Sequence, residues 1–162
     1  MEIKSFNPAG DQKGLQVGAG LTARLKHRRV RFVVERGAVI YLKGMIKNIF
    51  LGLVAILHTY FMVLEMFLWQ KPIGLKTFAM DAEQASKTAV LAGNQGLYNG
   101  FLVAGLVWAL AHPDPAFGKQ LALFFLGCVV VAGVYGAYTV NMRIFFIQGL
   151  PALIGMAAVF FT

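Results

Sequence analysis

Four long apolar runs constrain the fold of this 162-residue chain more than any other feature. The runs cover residues 49–69, 89–111, 121–140 and 144–161. Their only acidic or basic side chains are those of His58 and Glu65, both in the first run. A helix needs about 20 mainly apolar residues to cross a bilayer, and runs of this length without strict alternation indicate helices. We therefore predict an all-α, integral membrane four-helix bundle over residues 45–162, with helices at these positions.

The composition agrees with a membrane protein. The chain is 58% hydrophobic and 14% charged, whereas soluble domains are about 45–50% apolar and about 25% charged. This balance excludes a disordered chain and argues against a soluble one. The single cysteine, Cys128, excludes an intramolecular disulfide framework and a cysteine-based zinc site.

The basic charge belongs to residues 1–44. They hold nine basic and three acidic residues, a net charge of +6, out of +8 for the whole chain. They lack the unbroken apolar stretch of a signal peptide, and the apolar run over residues 30–42, which is interrupted by charges, would form a short strand or an interfacial helix. We expect residues 1–44 to be a disordered tail or a translation-start artefact, with Met45 as the real start, and to be dispensable. No recognition motif accompanies the basic residues, so nucleic acid is not an expected partner.

Membrane orientation depends on that start. From Met45, four cations lie on the loop side and two on the side of the termini. Positive charge favours the cytoplasmic side, which predicts that both termini lie outside. If residues 1–44 are present, their cations reverse this prediction.

Polar side chains fall at helical spacing within the apolar runs. His58, Met62, Glu65 and Trp69 are spaced 4, 3 and 4 residues apart, which forms one stripe. Alternating helix direction places most of the polar groups in one leaflet, with His58 and Asn99 near mid-membrane. We therefore predict a polar cavity, and the binding or proton-coupling candidates are Glu65, His58, Asn94, Gln95, Asn99, Tyr135, Tyr138 and Gln148.

Each candidate also has a structural interpretation. His58 fits a hydrogen-bonded core histidine, the amides fit contacts between helices, and the tyrosines fit an interfacial belt. Glu65 stands apart because a carboxylate inside a spanning helix costs about 2.5 kcal/mol or more, which makes it a functional candidate by default.

Small residues favour close helix contacts, since lipid provides no hydrophobic drive for helices to associate. Gly96 and Gly100 form a GxxxG pattern on the second helix, and Gly133 and Gly136 lie on the third. They predict packing within one bundle, and a homodimer contact is the alternative.

Several ordered motifs resemble a known family. They are HTYFMVLEMFLW at residues 58–69, NQGLYNG at 94–100, HPDPAFG at 112–118 and QGLP at 148–151. Over residues 46–161 they resemble a small bacterial membrane family catalogued as domain of unknown function 1304. The resemblance implies a four-helix, multi-pass protein of the bacterial inner (cell) membrane. It carries over no reaction, substrate or catalytic residue, and it does not reach residues 1–44.

Motifs for known chemistry are absent from the sequence. It has no phosphate loop, nucleophile elbow or HExxH pattern. His58 and Glu65 are two helical turns apart and lack a third ligand nearby, so we expect no metal and no cofactor. Three classes remain: a small proton-coupled transporter or exporter of a lipophilic or cationic compound, an intramembrane enzyme acting on a lipid or quinone-like substrate, and a structural or accessory subunit.

Overall fold

The computed structural model describes residues 8–162, and the side chains of residues 24 and 26–162. Within these residues all regular secondary structure is helical, which confirms the all-α prediction. The helices are α1 (Pro8–Phe67), α2 (Pro72–Phe78), α3 (Ala82–Ala111), α4 (Pro115–Thr139) and α5 (Leu150–Phe160), and a π-helical turn (Phe145–Gly149) precedes α5. The predicted count of four helices is wrong, because the described chain forms five α-helices.

The additional helix, α2, lies in the connection between the first two predicted spans. Pro72 is in its first turn, and Ala79 ends it in the left-handed conformation with φ 50°. Gly74 approaches the preceding chain so closely that a Cβ atom there would collide with the carbonyl oxygens of Leu68 and Trp69. The connection is therefore folded back against the end of α1 and not an open loop.

Aspartate caps explain why α3 and α4 begin earlier than predicted. The Asp81 carboxylate accepts a hydrogen bond from the Gln84 amide at 2.7 Å, and Asp114 accepts from the amides of Ala116 and Phe117 at 2.8 and 3.4 Å. Such caps satisfy amides that have no partner in the first helical turn. The helices begin at these caps, because capping and not hydropathy sets where a helix starts.

The fourth predicted helix is divided. Its first part is the π-helical turn Phe145–Gly149, and the Leu150 amide donates to the carbonyl of Phe145, five residues back. Pro151 has no amide hydrogen and its ring crowds the carbonyl four residues earlier. A wider helical turn just before the proline relieves that conflict.

The chain divides into two compact units between Leu42 and Lys43. In the first unit the chain is helical from Pro8 onward, as the first part of α1. Residues 1–7 lie outside the described residues. Arg31 pairs with Glu35 at 3.1 Å, and the Arg36 guanidinium lies 4.2 Å from the ring centre of Phe32.

The second unit, Lys43–Thr162, contains the hydrophobic core. Four α-helices contribute buried side chains, and these include Leu51, Val54, Leu106, Leu126, Val129, Ala152 and Val159. Gly155 brings α5 close to Phe50 of α1 and Leu126 of α4. The core is therefore built by α1, α3, α4 and α5.

One end of this bundle is closed by two lysines. Lys43 donates to the carbonyl oxygen of Phe161 at 3.3 Å, and Lys119 donates to that of Phe160 at 3.1 Å. Cations at a helix C-terminus satisfy free carbonyls and complement the helix dipole. Lys43 belongs to the segment that the sequence predicted to be dispensable, yet it contacts the end of the chain.

Two helices are long and apolar enough to cross a membrane within the described chain. They are the part of α1 over Lys26–Phe67 and α4, Pro115–Thr139; Phe145–Phe160 is apolar but shorter. The sequence predicted four spans. Helix α3 differs from α4 in carrying three amide side chains, Asn94, Gln95 and Asn99, near its middle.

Candidate functional site

The candidate site is a carboxylate and an amide that meet between α1 and α3. The Asn99 amide nitrogen donates to Oε2 of Glu65 at 2.7 Å, and both side chains are half-buried. Glu65 is in the last turn of α1, and Asn99 is near the middle of α3. Hydrogen bonds to a charged group are short and stronger than those between neutral groups. The pair thus holds a carboxylate at a defined position between two helices.

Gly96 allows the two helices to approach at this point. A Cβ atom on Gly96 would lie 2.5 Å from Cγ of Met66, 3.1 Å from Cβ of Glu65 and 3.1 Å from the carbonyl oxygen of Met62. One turn further along α3, a Cβ on Gly100 would lie 3.0 Å from the sulfur of Met62. The absence of side chains at both positions brings the α3 backbone against α1 and puts Asn99 within reach of Glu65.

His58 lies two turns before Glu65 on α1 and is 1% exposed. Its Nδ1 lies 2.8 Å from the carbonyl oxygen of Val54, and its ring meets that of Phe61 edge-on with centroids 6.0 Å apart. A carbonyl can only accept, so Nδ1 carries the hydrogen, and Nε2 of a neutral ring is an acceptor. This is the geometry of a hydrogen-bonded core histidine, and His58 is directed to its own helix.

The structure does not bring the remaining candidates to Glu65. Asn94 and Gln95 of α3 are exposed. Tyr135 and Tyr138 of α4 are 69% and 90% exposed, beside valines of the same helix. Gln148 is half-buried in the π-helical turn, close to Gly133. Of the predicted cavity, the structure assembles Glu65 and Asn99, with His58 deeper in the bundle.

Glycines of α4 mark a second close contact. A Cβ on Gly133 would lie 2.7 Å from Cα of Gly149, and one on Gly136 would lie 2.8 Å from Cγ2 of Ile144. The four glycines singled out in the sequence therefore lie at two contacts. Gly96 and Gly100 face α1, and Gly133 and Gly136 face the chain that leads into α5.

The sequence analysis missed a contact that joins the end of α1 to the start of α3, a few residues beyond Glu65. The Trp69 indole nitrogen donates to the Thr88 hydroxyl at 3.1 Å, and the indole packs on the Phe78 ring of α2 at 4.6 Å between centroids. Nothing in the sequence pattern points to Thr88, because the partner is 19 residues away. This contact holds α2 and the end of α1 against the start of α3.

The described residues contain no group of three or more histidine, cysteine, aspartate or glutamate side chains that could hold a metal ion. The chemistry of the site therefore rests on one carboxyl group, its amide partner and the apolar side chains around them. Such a site can bind a proton, a cation or a hydrogen-bond donor.

The fold and the site define a small helical protein. In it a carboxylate lies between two helices, α1 and α3, that approach each other closely at glycines of α3. The chain belongs to the family described as "Protein of unknown function (DUF1304)", whose profile matches residues 52–160. This confirms the resemblance drawn from the motifs. The chain is also 30% identical over 111 residues to "Uncharacterized protein YpaA" of Lactococcus lactis subsp. lactis, a match that covers 67% of this chain and 92% of that protein. No solved structure matches the chain.

Proposed function

We propose that this chain is a multi-pass protein of the bacterial cell membrane, and that it is a small proton-coupled transporter or exporter of a lipophilic or cationic compound. The apolar surface of α4 supports the membrane location. Phe124 and Val131 of this helix are 64% and 69% exposed. Large contiguous apolar surface is rare on soluble monomers, whereas lipid tails solvate it.

The hydrogen bond between Asn99 and Glu65 carries the functional proposal. An acidic group inside an apolar span is costly, so it is retained where it pairs, binds or carries a proton. The bond engages Oε2, while a carboxylate offers about four acceptor sites. Oε1 can therefore take a proton or contact a cation while Asn99 holds the group in place. Competition between a proton and a cation for one carboxylate is the coupling that an exchanger needs.

The enzyme alternative receives less support. It requires an acid and a base that act on one substrate, with His58 as the partner of Glu65. The Nδ1 atom of His58 is engaged by the carbonyl of Val54, in a fully buried position. We therefore assign the site to binding, with an accessory role as the remaining competitor.

The test is uptake of a lipophilic cation, tetraphenylphosphonium, into liposomes that contain the purified protein and carry an imposed pH gradient. Glu65→Gln keeps the size of the side chain and an oxygen that can accept the hydrogen bond from the Asn99 amide. It removes the carboxyl group that can take up and release a proton, so we expect the pH-driven uptake to be lost. The matched control is Glu83→Gln. It removes an exposed carboxylate that pairs with Lys87 in the first turn of α3, and we expect it to transport normally.

Three results would overturn the proposal. Wild-type protein that moves no tetraphenylphosphonium under a pH gradient contradicts the assignment to lipophilic cations. A Glu65→Gln variant with full pH-driven uptake contradicts the role of the carboxylate. A Glu65→Gln variant that no longer elutes as folded protein in detergent makes Glu65 a structural group and favours the accessory role.

A further inference from the structure

The outward face of α3 carries a continuous stripe of exposed side chains. Val90 is 79% exposed, Phe101 57% and Trp108 53%. We call this stripe the α3 seam; its members, all exposed, are Val90, Asn94, Leu97, Phe101, Ala104 and Trp108. The seam faces away from α1, which α3 contacts through Gly96 and Asn99.

The spacing of the seam is that of a helix-pairing surface. Its members follow one another by 4, 3, 4, 3 and 4 residues, which is the repeat of 3.5 that keeps one helix against another in a left-handed pair. From Val90 to Trp108 the seam is about 27 Å long at ~1.5 Å per residue. That length nearly matches the ~30 Å hydrocarbon thickness of a bilayer.

Asn94 is the one strongly polar member of the seam. In an apolar environment an amide that faces lipid loses its hydrogen bonds, and membrane helices satisfy such groups across a helix interface. An amide contains both a donor and an acceptor, so two asparagines can bond to each other. A single asparagine in an otherwise apolar repeat sets the register of a helix pair.

We propose that α3 is the interface of a homodimer, in which the seam of one copy packs along the seam of a second copy and Asn94 meets Asn94. The inference rests on the membrane location proposed above. Two copies that insert in the same orientation have parallel α3 helices, so residues of equal depth face each other across a two-fold axis. The backbone beside Asn94 is open, since a Cβ on Gly93 would meet nothing within 4 Å.

The dimer gives each face of α3 a separate role. The inner face holds Asn99 against Glu65 of the same copy, and the outer face meets the partner. The two carboxylate sites of a dimer then flank the α3 pair, each one helix away from the interface.

The first experiment is disulfide cross-linking of the full chain in liposomes, in a Cys128→Ala background. Single cysteines replace Val90 and Phe101 on the seam, so that Asn94 stays in place. Leu91→Cys is the matched control, because Leu91 is 70% exposed on the same helix and near the same depth but lies off the seam. We expect covalent dimers from Val90→Cys and Phe101→Cys at several times the yield from Leu91→Cys.

The second experiment measures dimerisation by energy transfer between labelled copies as the protein is diluted into lipid. Asn94→Leu should weaken the dimer by about three- to twenty-fold, the range of interhelical hydrogen bonds in membranes. Gln95→Leu removes an exposed amide off the seam and should leave the affinity unchanged.

The outcomes separate this inference from the proposed membrane location. Protein that is removed from liposomes by alkaline extraction contradicts the membrane location, and the dimer with it. Two results contradict only the dimer, in protein that resists extraction. One is equal cross-linking at all three positions, and the other is an equally monomeric protein with and without Asn94. Lipid then covers the seam.

Discussion

Gly96 is the position where one added methyl group tests the crossing of α1 and α3. In Gly96→Ala, the new Cβ would lie 2.5 Å from Cγ of Met66 and 3.1 Å from the carbonyl oxygen of Met62, where carbon atoms normally sit about 3.5–4.0 Å apart. Met66 is 39% exposed, so its side chain can move aside. The Met62 carbonyl is part of the α1 backbone, so the two helices must separate.

The expected cost follows from that contact. Overpacking a closely fitted site by one or more carbon atoms costs about 1–3 kcal/mol. Replacing glycine by alanine in a helix also gains up to about 1 kcal/mol from backbone entropy. Gly93→Ala is the matched control on the same helix, because a Cβ there meets nothing within 4 Å. The gain from helix propensity is common to both variants. The difference between their free energies of unfolding, about 1–3 kcal/mol, therefore isolates the packing cost.

The assay is reversible unfolding in detergent micelles, followed by circular dichroism, for wild type and both variants. Gly127→Ala on α4 provides a second control away from α3, since a Cβ there also has no neighbour within 4 Å. We expect Gly96→Ala to be the least stable of the three variants. If Gly96→Ala proves as stable as Gly93→Ala, α1 and α3 do not cross at Gly96, and the geometry that holds Asn99 against Glu65 is wrong.

Two further changes test the ends of helices. Ala79 ends α2 with φ 50°, so Ala79→Gly should raise the free energy of unfolding by about 1 kcal/mol, because glycine adopts this conformation without strain; an unchanged or lower value would contradict the left-handed cap. A chain that starts at Met45 loses the exposed hydrogen bond from Lys43 to Phe161, and it should still insert and fold, with a loss of no more than about 1 kcal/mol; failure to insert would show that the preceding residues are part of the structure.

The amino-acid sequence alone predicted the helical class, the family and several boundaries. Helix α3 ends at Ala111, as the turn-forming prolines after it indicate, and α4 ends one residue from its predicted end. These features depend on local properties, hydropathy and the restricted backbone of proline, that the sequence contains directly. Helix starts were less accurate, because the capping residues Asp81 and Asp114 lie outside the apolar runs.

The sequence also singled out Glu65 as a candidate, since a lone carboxylate in an apolar run is costly wherever it points. The sequence did not identify the hydrogen-bond partner of Glu65. Asn94, Gln95 and Asn99 lie within six residues of α3, and depth alone favoured Asn94 and Gln95.

Only the tertiary structure decided which amide meets the carboxylate. Successive residues of a helix point about 100° apart, so the rotation of α3 about its axis determines which of the three amides faces α1. That rotation is set where Gly96 packs against Met62 and Met66, which turns Asn99 inward to Glu65 and Asn94 outward. The rotation depends on side-chain fit between residues about 30 positions apart in the chain, and no local pattern in the sequence contains it.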